Sequence, residues 1–136
     1  MTASAIPLPV PSELTETFWS ACREGRLTFQ RCLECGKAVF IPSPCCTGCM
    51  SGSLRWEESS GRGTVYSYSV VWRPQQPAFE PGYVAAIVEL EEGWKMLSNV
   101  VDCDPAVVSV GLPVEAVFRP MSDEIALPYF RPRTGA

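Results

Sequence analysis

Two cysteine pairs carry the clearest chemistry in this chain: Cys32-x-x-Cys35 and, after ten intervening residues, Cys46-x-x-Cys49. A two-residue spacing closes a tight turn whose backbone N–H groups point at sulfur, and Gly36 and Gly48 are expected to supply its permissive dihedrals. Two such turns place four thiolates at the corners of a tetrahedron, the geometry of a structural zinc site. The competing use of the sulfurs is disulfide bonding, which needs an oxidising compartment. The sequence offers no export signal, and its seven cysteines cannot all pair within one chain. Iron could occupy the same four sulfurs, as in a rubredoxin. Zinc is expected because nothing else here suggests electron transfer. Cys45 could replace Cys46 only by widening the second turn to three intervening residues, and is read as a spectator. Cys22 and Cys103 read as packing or surface thiols.

Four sulfurs on one ion leave no open coordination position, so the metal should neither polarise a substrate nor activate water. Its role is structural, standing in for the core that a module of this size cannot build alone. The rest of the composition is equally restrictive. There is no histidine, which removes the usual near-neutral base and every Ser-His or Cys-His pair, and no catalytic residue is assigned. The formal charge is -4, and only Lys37 and Lys95 are lysines. A zinc ion with four thiolates adds two further negative charges (+2 and -4), which opposes binding to a phosphate backbone. No basic, then apolar, leader and no window of ~20 apolar residues is present, so a cytoplasmic protein with no membrane association is expected.

Positioning these residues falls to a chain of 136 residues with thirteen prolines and ten glycines, too often punctuated for a helical bundle. Residues 1–11 read as an extended arm. From Ser12 to Arg26, Leu14, Phe18 and Ala21 with Cys22 recur at helical spacing, with Ser12 as N-cap and Gly25 at the C-terminal stop. Phe18 and Trp19 either fold back on the domain or dock on a partner. Segments 64–72, 83–90, 95–101, 112–119 and 125–131 alternate like strands and suit a small barrel. Tyr66, Tyr68, Val70 and Trp72 are expected on one face, more in keeping with core than with a base-stacking platform. The division is an arm and helix at 1–26, a zinc ribbon at 27–52 and a barrel at 53–136.

With ribbon and strands in place, the chain resembles a bacterial and archaeal family that joins an N-terminal helix and rubredoxin-like zinc ribbon to a C-terminal OB-fold. The resemblance lies in FWSACREGRLTFQRCLECGKAVFIPSPCCTGC at 18–49, GRGTVYSYSVV at 61–71, PGYVAAIVELEEG at 81–93, SNVVD at 98–102 and VGLPVEAVF at 110–118. It implies a mainly β fold with a five-stranded OB-fold barrel. It also implies an accessory subunit, with the catalytic residues in a larger thiolase-like or aldolase partner, or alternatively a hydratase, that handles acyl-CoA. Ser43 stands where many relatives carry arginine after the proline.

Under that implication Arg73, Arg119, Arg131 and Arg133 are candidate contacts for the phosphates and adenine of CoA, each set against an ordinary solvated arginine. A single-stranded nucleic-acid module is the alternative that Tyr66, Tyr68 and Trp72 would serve. A free-standing iron redox protein is the third.

Overall fold

The computed structural model of the chain describes residues 6–74, 79 and 81–134. Helix α1 (Glu16–Arg23) buries Phe18, Ala21 and Cys22. It begins one turn later than the sequence suggests. Ser12 and Thr15 instead bond to each other: the Ser12 N–H reaches Thr15 Oγ1 at 2.9 Å and the Thr15 N–H reaches Ser12 Oγ at 3.2 Å. These groups close a separate turn ahead of the helix. At the other end the Arg26 N–H bonds to the Ala21 carbonyl and the Gly25 N–H to the Cys22 carbonyl, with Gly25 at φ 77°. That pair of bonds around a left-handed glycine is a Schellman stop, as Gly25 led one to expect.

Beyond α1 the chain builds a three-stranded antiparallel sheet. It comprises β1 (Thr28–Cys32), β2 (Ala38–Val39) and β3 (Leu54–Glu58), in the order β2-β1-β3. The ribbon's sheet therefore continues past residue 52, since β3 pairs with β1 over five residues, from Thr28 opposite Glu58 to Cys32 opposite Leu54. Five strands follow: β4 (Arg62–Val71), β5 (Tyr83–Leu90), β6 (Lys95–Val100), β7 (Pro113–Pro120) and β8 (Ala126–Pro132). They close into a barrel in the order β4-β5-β6-β8-β7. Closure runs through Thr64 opposite Pro113 on one side and a parallel contact of Val100 with Phe130 on the other. Gly63 sits where the barrel wall is tightest: a Cβ there would lie 2.2 Å from the Glu89 carbonyl oxygen.

Val84, Ala86, Val88 and Leu90 all point inward along β5, as their alternation requires. On β4 the expected face breaks. A bulge between Val65 and Ser67 shifts the register by one residue, so Tyr68 and Val70, opposite Ala86 and Val84, take the face that Val65 holds opposite Val88. The aromatics of this strand are not core: Tyr66, Tyr68 and Trp72 are exposed. Phe18, by contrast, lies in the core, so the aromatic helix face folds back onto the protein rather than waiting for a partner.

Ribbon and barrel share that core through Trp94. Its buried ring stacks on Phe29 of β1 at 5.4 Å and packs against Phe40, just past β2, at 4.7 Å. Among the described residues no helix is long and apolar enough to cross a membrane.

Candidate metal centre and apolar groove

Each cysteine pair caps a knuckle, and the two knuckles have the same backbone bonds. In the first, the Gly36 N–H bonds to the Cys32 carbonyl at 3.0 Å and the Cys32 N–H to the Lys37 carbonyl at 2.9 Å. In the second, the Met50 N–H bonds to the Cys46 carbonyl at 3.0 Å and the Cys46 N–H to the Ser51 carbonyl at 2.8 Å. The first sulfur of each pair then collects two N–H groups. Cys32 Sγ accepts from Glu34 and Cys35, and Cys46 Sγ from Gly48 and Cys49, at 3.2–3.5 Å.

This local order brings all four expected ligands together. Cys32 and Cys49 lie with their sulfurs 3.6 Å apart, as do Cys35 and Cys46, and the four sulfurs fall within 4.8 Å of one another. Zinc–sulfur bonds of about 2.3 Å in a tetrahedron separate sulfurs by about 3.8 Å, so one ion fits the cage. The electrostatics also ask for a cation. The N–H groups of Cys49 and Gly48 bring the Cys46 thiol down to about 6. The Cys35 N–H lowers Cys32 likewise. The Ser51 N–H pulls Cys49 in the same direction, but the neighbouring sulfurs and burial outweigh it and push that thiol up to about 12. Without a positive ion, four thiolates cannot coexist at this distance.

Two details of the knuckles escaped the sequence. Gly36 has the expected left-handed backbone, φ 79°, but the matching position in the second knuckle is Met50, at φ 69°, rather than Gly48. Gly48 is small for a different reason, because a Cβ there would meet Lys37 Cδ at 3.1 Å. Lys37 therefore lies across the second knuckle, one of the chain's two lysines placed beside its most negative site. The Cys-Gly-Lys run after the first pair was the available signal.

Cys45 stands outside the four-sulfur group, half-buried, its carbonyl accepting from Ser43 Oγ at 2.8 Å. Ser43, at the position of the missing arginine, also donates its N–H to the buried Gln30 side chain at 2.8 Å. Cys22 lies in the core, where burial pushes its thiol up to about 12. Cys103 is half-buried, and burial and two neighbouring aspartates raise it as well.

A groove of about 440 Å³ lies between α1, the exit from β2 and the barrel, lined by Trp19, Phe40, Ile41, Leu97, Pro128 and Tyr129 among others. A second cavity of about 320 Å³ shares Asn99 and Tyr129 with it and reaches Arg119. Arg119 lies over the Tyr129 ring and is paired with Asp102 at 2.6 Å; Arg131 is paired with Glu115 at 2.9 Å. Arg133 lines a separate cavity beside Glu89 and Glu91, an acidic setting for a phosphate ligand, and Arg73 is exposed. The four arginines do not converge.

Two family models match the chain: the ChsH2 rubredoxin-like zinc ribbon domain over residues 19–55 and the ChsH2 C-terminal OB-fold domain over residues 56–119. A chain of the structure described as the Ltp2-ChsH2(DUF35) aldolase is similar over 92% of this chain and 98% of its own, with a TM-score of 0.83 and 38% identity. A DUF35 domain-containing scaffold protein of Methanothermobacter thermautotrophicus is 38% identical, over 83% of this chain and 86% of that protein. A probable enoyl-CoA hydratase alpha subunit of Thermomonospora curvata is 42% identical over 85% of this chain but only 36% of its own length. The chain thus spans about a third of that relative. The four-cysteine ribbon and the closed five-stranded barrel follow one another in the order of those two matches, and the chain belongs to the ChsH2 family of rubredoxin-like zinc ribbon and OB-fold proteins.

Proposed function

We propose that this chain is a non-catalytic accessory subunit of an acyl-CoA carbon–carbon bond enzyme, thiolase-like or aldolase, that works in the cytoplasm. Its four ligands to a structural zinc are Cys32, Cys35, Cys46 and Cys49. The carrying observation is the likeness, over nearly the full length of both chains, to a chain of an aldolase described by two component names. Similarity to a benzoylsuccinyl-CoA thiolase subunit of Geobacter metallireducens supports the same reading, and similarity to hydratase alpha subunits makes an acyl-CoA hydratase the alternative partner. In this reading arm and helix occupy 1–26 and the ribbon starts at 27. The Ser59–Gly61 turn then marks the passage from the ribbon's third strand to the barrel.

The groove beside α1 supplies the physical means. Its walls come from helix, ribbon and barrel together, with Phe40, Ile41 and Pro42 of the ribbon facing the other two and Phe40 held by its packing on Trp94. An acyl chain laid there would be screened from water without any group of this chain touching the reacting bond. Four sulfurs gathered around one site for a metal accord with a reducing compartment.

Co-expression with a thiolase-like or aldolase subunit tests the proposal. The complex should co-purify and turn over an acyl-CoA substrate, while this chain alone should not. Turnover by the isolated chain would end the accessory reading. Within the complex, Trp19→Ala, which opens the groove without touching the zinc, should raise KM more than it lowers kcat.

A further inference from the structure

β4 is two different strands joined at the bulge. Up to Thr64 it is paired on both sides, with β5 and with β7. From Ser67 to Val71 it pairs with β5 alone, and among the described residues nothing pairs with its other edge. Alternate N–H and C=O groups along those five residues therefore point outward with no ladder partner. The side chains match that openness: Tyr66 is 53% exposed, Tyr68 41% and Trp72 66%. Natural edges are blunted by charge, proline or brevity. This one has a bulge at its start, but from Gly63 to Trp72 it has no charged residue and no proline.

We propose that this edge is a homodimer interface, in which β4 of one molecule pairs antiparallel with β4 of a second about a two-fold axis at Ser69. The register follows from the free span itself. An isologous antiparallel pair must place same-face residues opposite each other, and the centre of Ser67–Val71 is Ser69. Tyr68 then faces the second copy's Val70 on each side of the axis, the aromatic–β-branched cross-strand pair that stabilises sheets, while Tyr66, in the bulge with Lys95 over its ring at 4.8 Å, lies outside the paired span. The charge pattern permits it: with no charge along the paired span, two identical edges meet without like-charge repulsion. A strand of a different protein could use the same edge, but the uncharged span and the two Tyr68–Val70 pairs that it makes with itself favour a second copy. The interface lies on the barrel strand alone and does not depend on the proposed enzymatic role.

The test uses the zinc-loaded full chain. Sedimentation should show a concentration-dependent dimer below about 200 µM. Ser69→Lys sets two like charges opposite each other at the axis and should weaken dimerisation about tenfold or more. Ser69→Cys should form a disulfide between the two introduced thiols in oxidised glutathione, whereas Ser67→Cys, whose partner is Val71, should not link to itself. Circular dichroism and zinc content confirm that the variants fold, and a variant that fails this is replaced by Ser69→Glu, read in the same way. A monomer throughout the range overturns the proposal. So does a dimer indifferent to charge at Ser69, or amide protection of residues 67–71 that appears only with an enzyme subunit bound.

Discussion

The barrel and the ribbon reach stability by different routes within one chain. The barrel buries Val65, Val84, Val88, Leu90, Val114 and Phe130 almost completely. At the metal end of the ribbon the buried cluster is Cys32, Val39 and Cys46, with Leu54 packed against it. Two of those three belong to the four-sulfur cluster. Such a cluster excludes too little apolar surface to offset the entropy of ordering two knuckles, so the sulfur–metal bonds must supply the difference. The opposite end of the same ribbon is ordinary core, since Phe29 and Phe40 pack on Trp94 of the barrel. Metal dependence is thus confined to one end of one sheet.

The largest expected effect breaks the ribbon and spares the barrel. Cys46→Ser, or a strong chelator, removes an interaction worth about 10 kcal/mol or more in zinc-dependent modules. Hydrogen exchange should show residues 32–54 losing protection while β5 and β7 keep theirs. Phe130→Ala does the reverse. Phe130 is fully buried where β8 meets both β6 and β7. Its loss should cost about 3–5 kcal/mol and lower the melting temperature of the whole molecule without changing zinc content.

Trp94 joins the two regions, and a milder change sharpens its role. The Trp94 Nε1–H donates to Glu92 Oε1 at 3.2 Å, and the same carboxylate accepts from Ser59 Oγ at 2.8 Å and from the Ser60 N–H at 2.7 Å. Trp94→Phe keeps the stack and loses the bond, with an expected cost of about 1–2 kcal/mol by denaturant titration. Burial acts to raise Glu92, but the donors from Ser60, Ser59 and Trp94 outweigh it and hold the carboxyl below its ordinary 4.5. A depressed carboxyl contributes stability above its unfolded value and loses it as pH falls through the folded one. Acid below about pH 4.5 should therefore loosen the ribbon–barrel junction, and Glu92→Gln should flatten that part of the stability profile. The smallest effects separate the two knuckles. Gly36→Ala should cost about 1 kcal/mol at its positive φ, whereas Met50→Gly should gain up to about 1 kcal/mol at the equivalent place. Zinc-affinity competition would read both signs.

The sequence exposed whatever is set by neighbours along the chain. The four-sulfur cluster was legible because a knuckle is made within six residues, from Cys32 to Lys37 and from Cys46 to Ser51. The helix stop was legible because Gly25 closes it locally, and the strands because Pro, Gly and Asp bound them. Features fixed by distant parts of the fold were not. The bulge at Tyr66 arises from pairing with β5, so alternation alone set Val65 on the face opposite Tyr68 and Val70, and it gave no sign that the aromatics would stay exposed. Gly48 looked like a dihedral requirement and is instead a clearance for Lys37. Trp94 gave no local sign that it would join ribbon to barrel, and the helical spacing of Phe18 left open whether the core or a partner would bury it.

Competitive alkylation read by native mass spectrometry tests the central claim most directly. The folded chain should carry one zinc ion, with Cys32, Cys35, Cys46 and Cys49 protected and Cys45 and Cys103 modified. A metal-free chain whose four knuckle thiols react while the barrel and ribbon stay folded would contradict it.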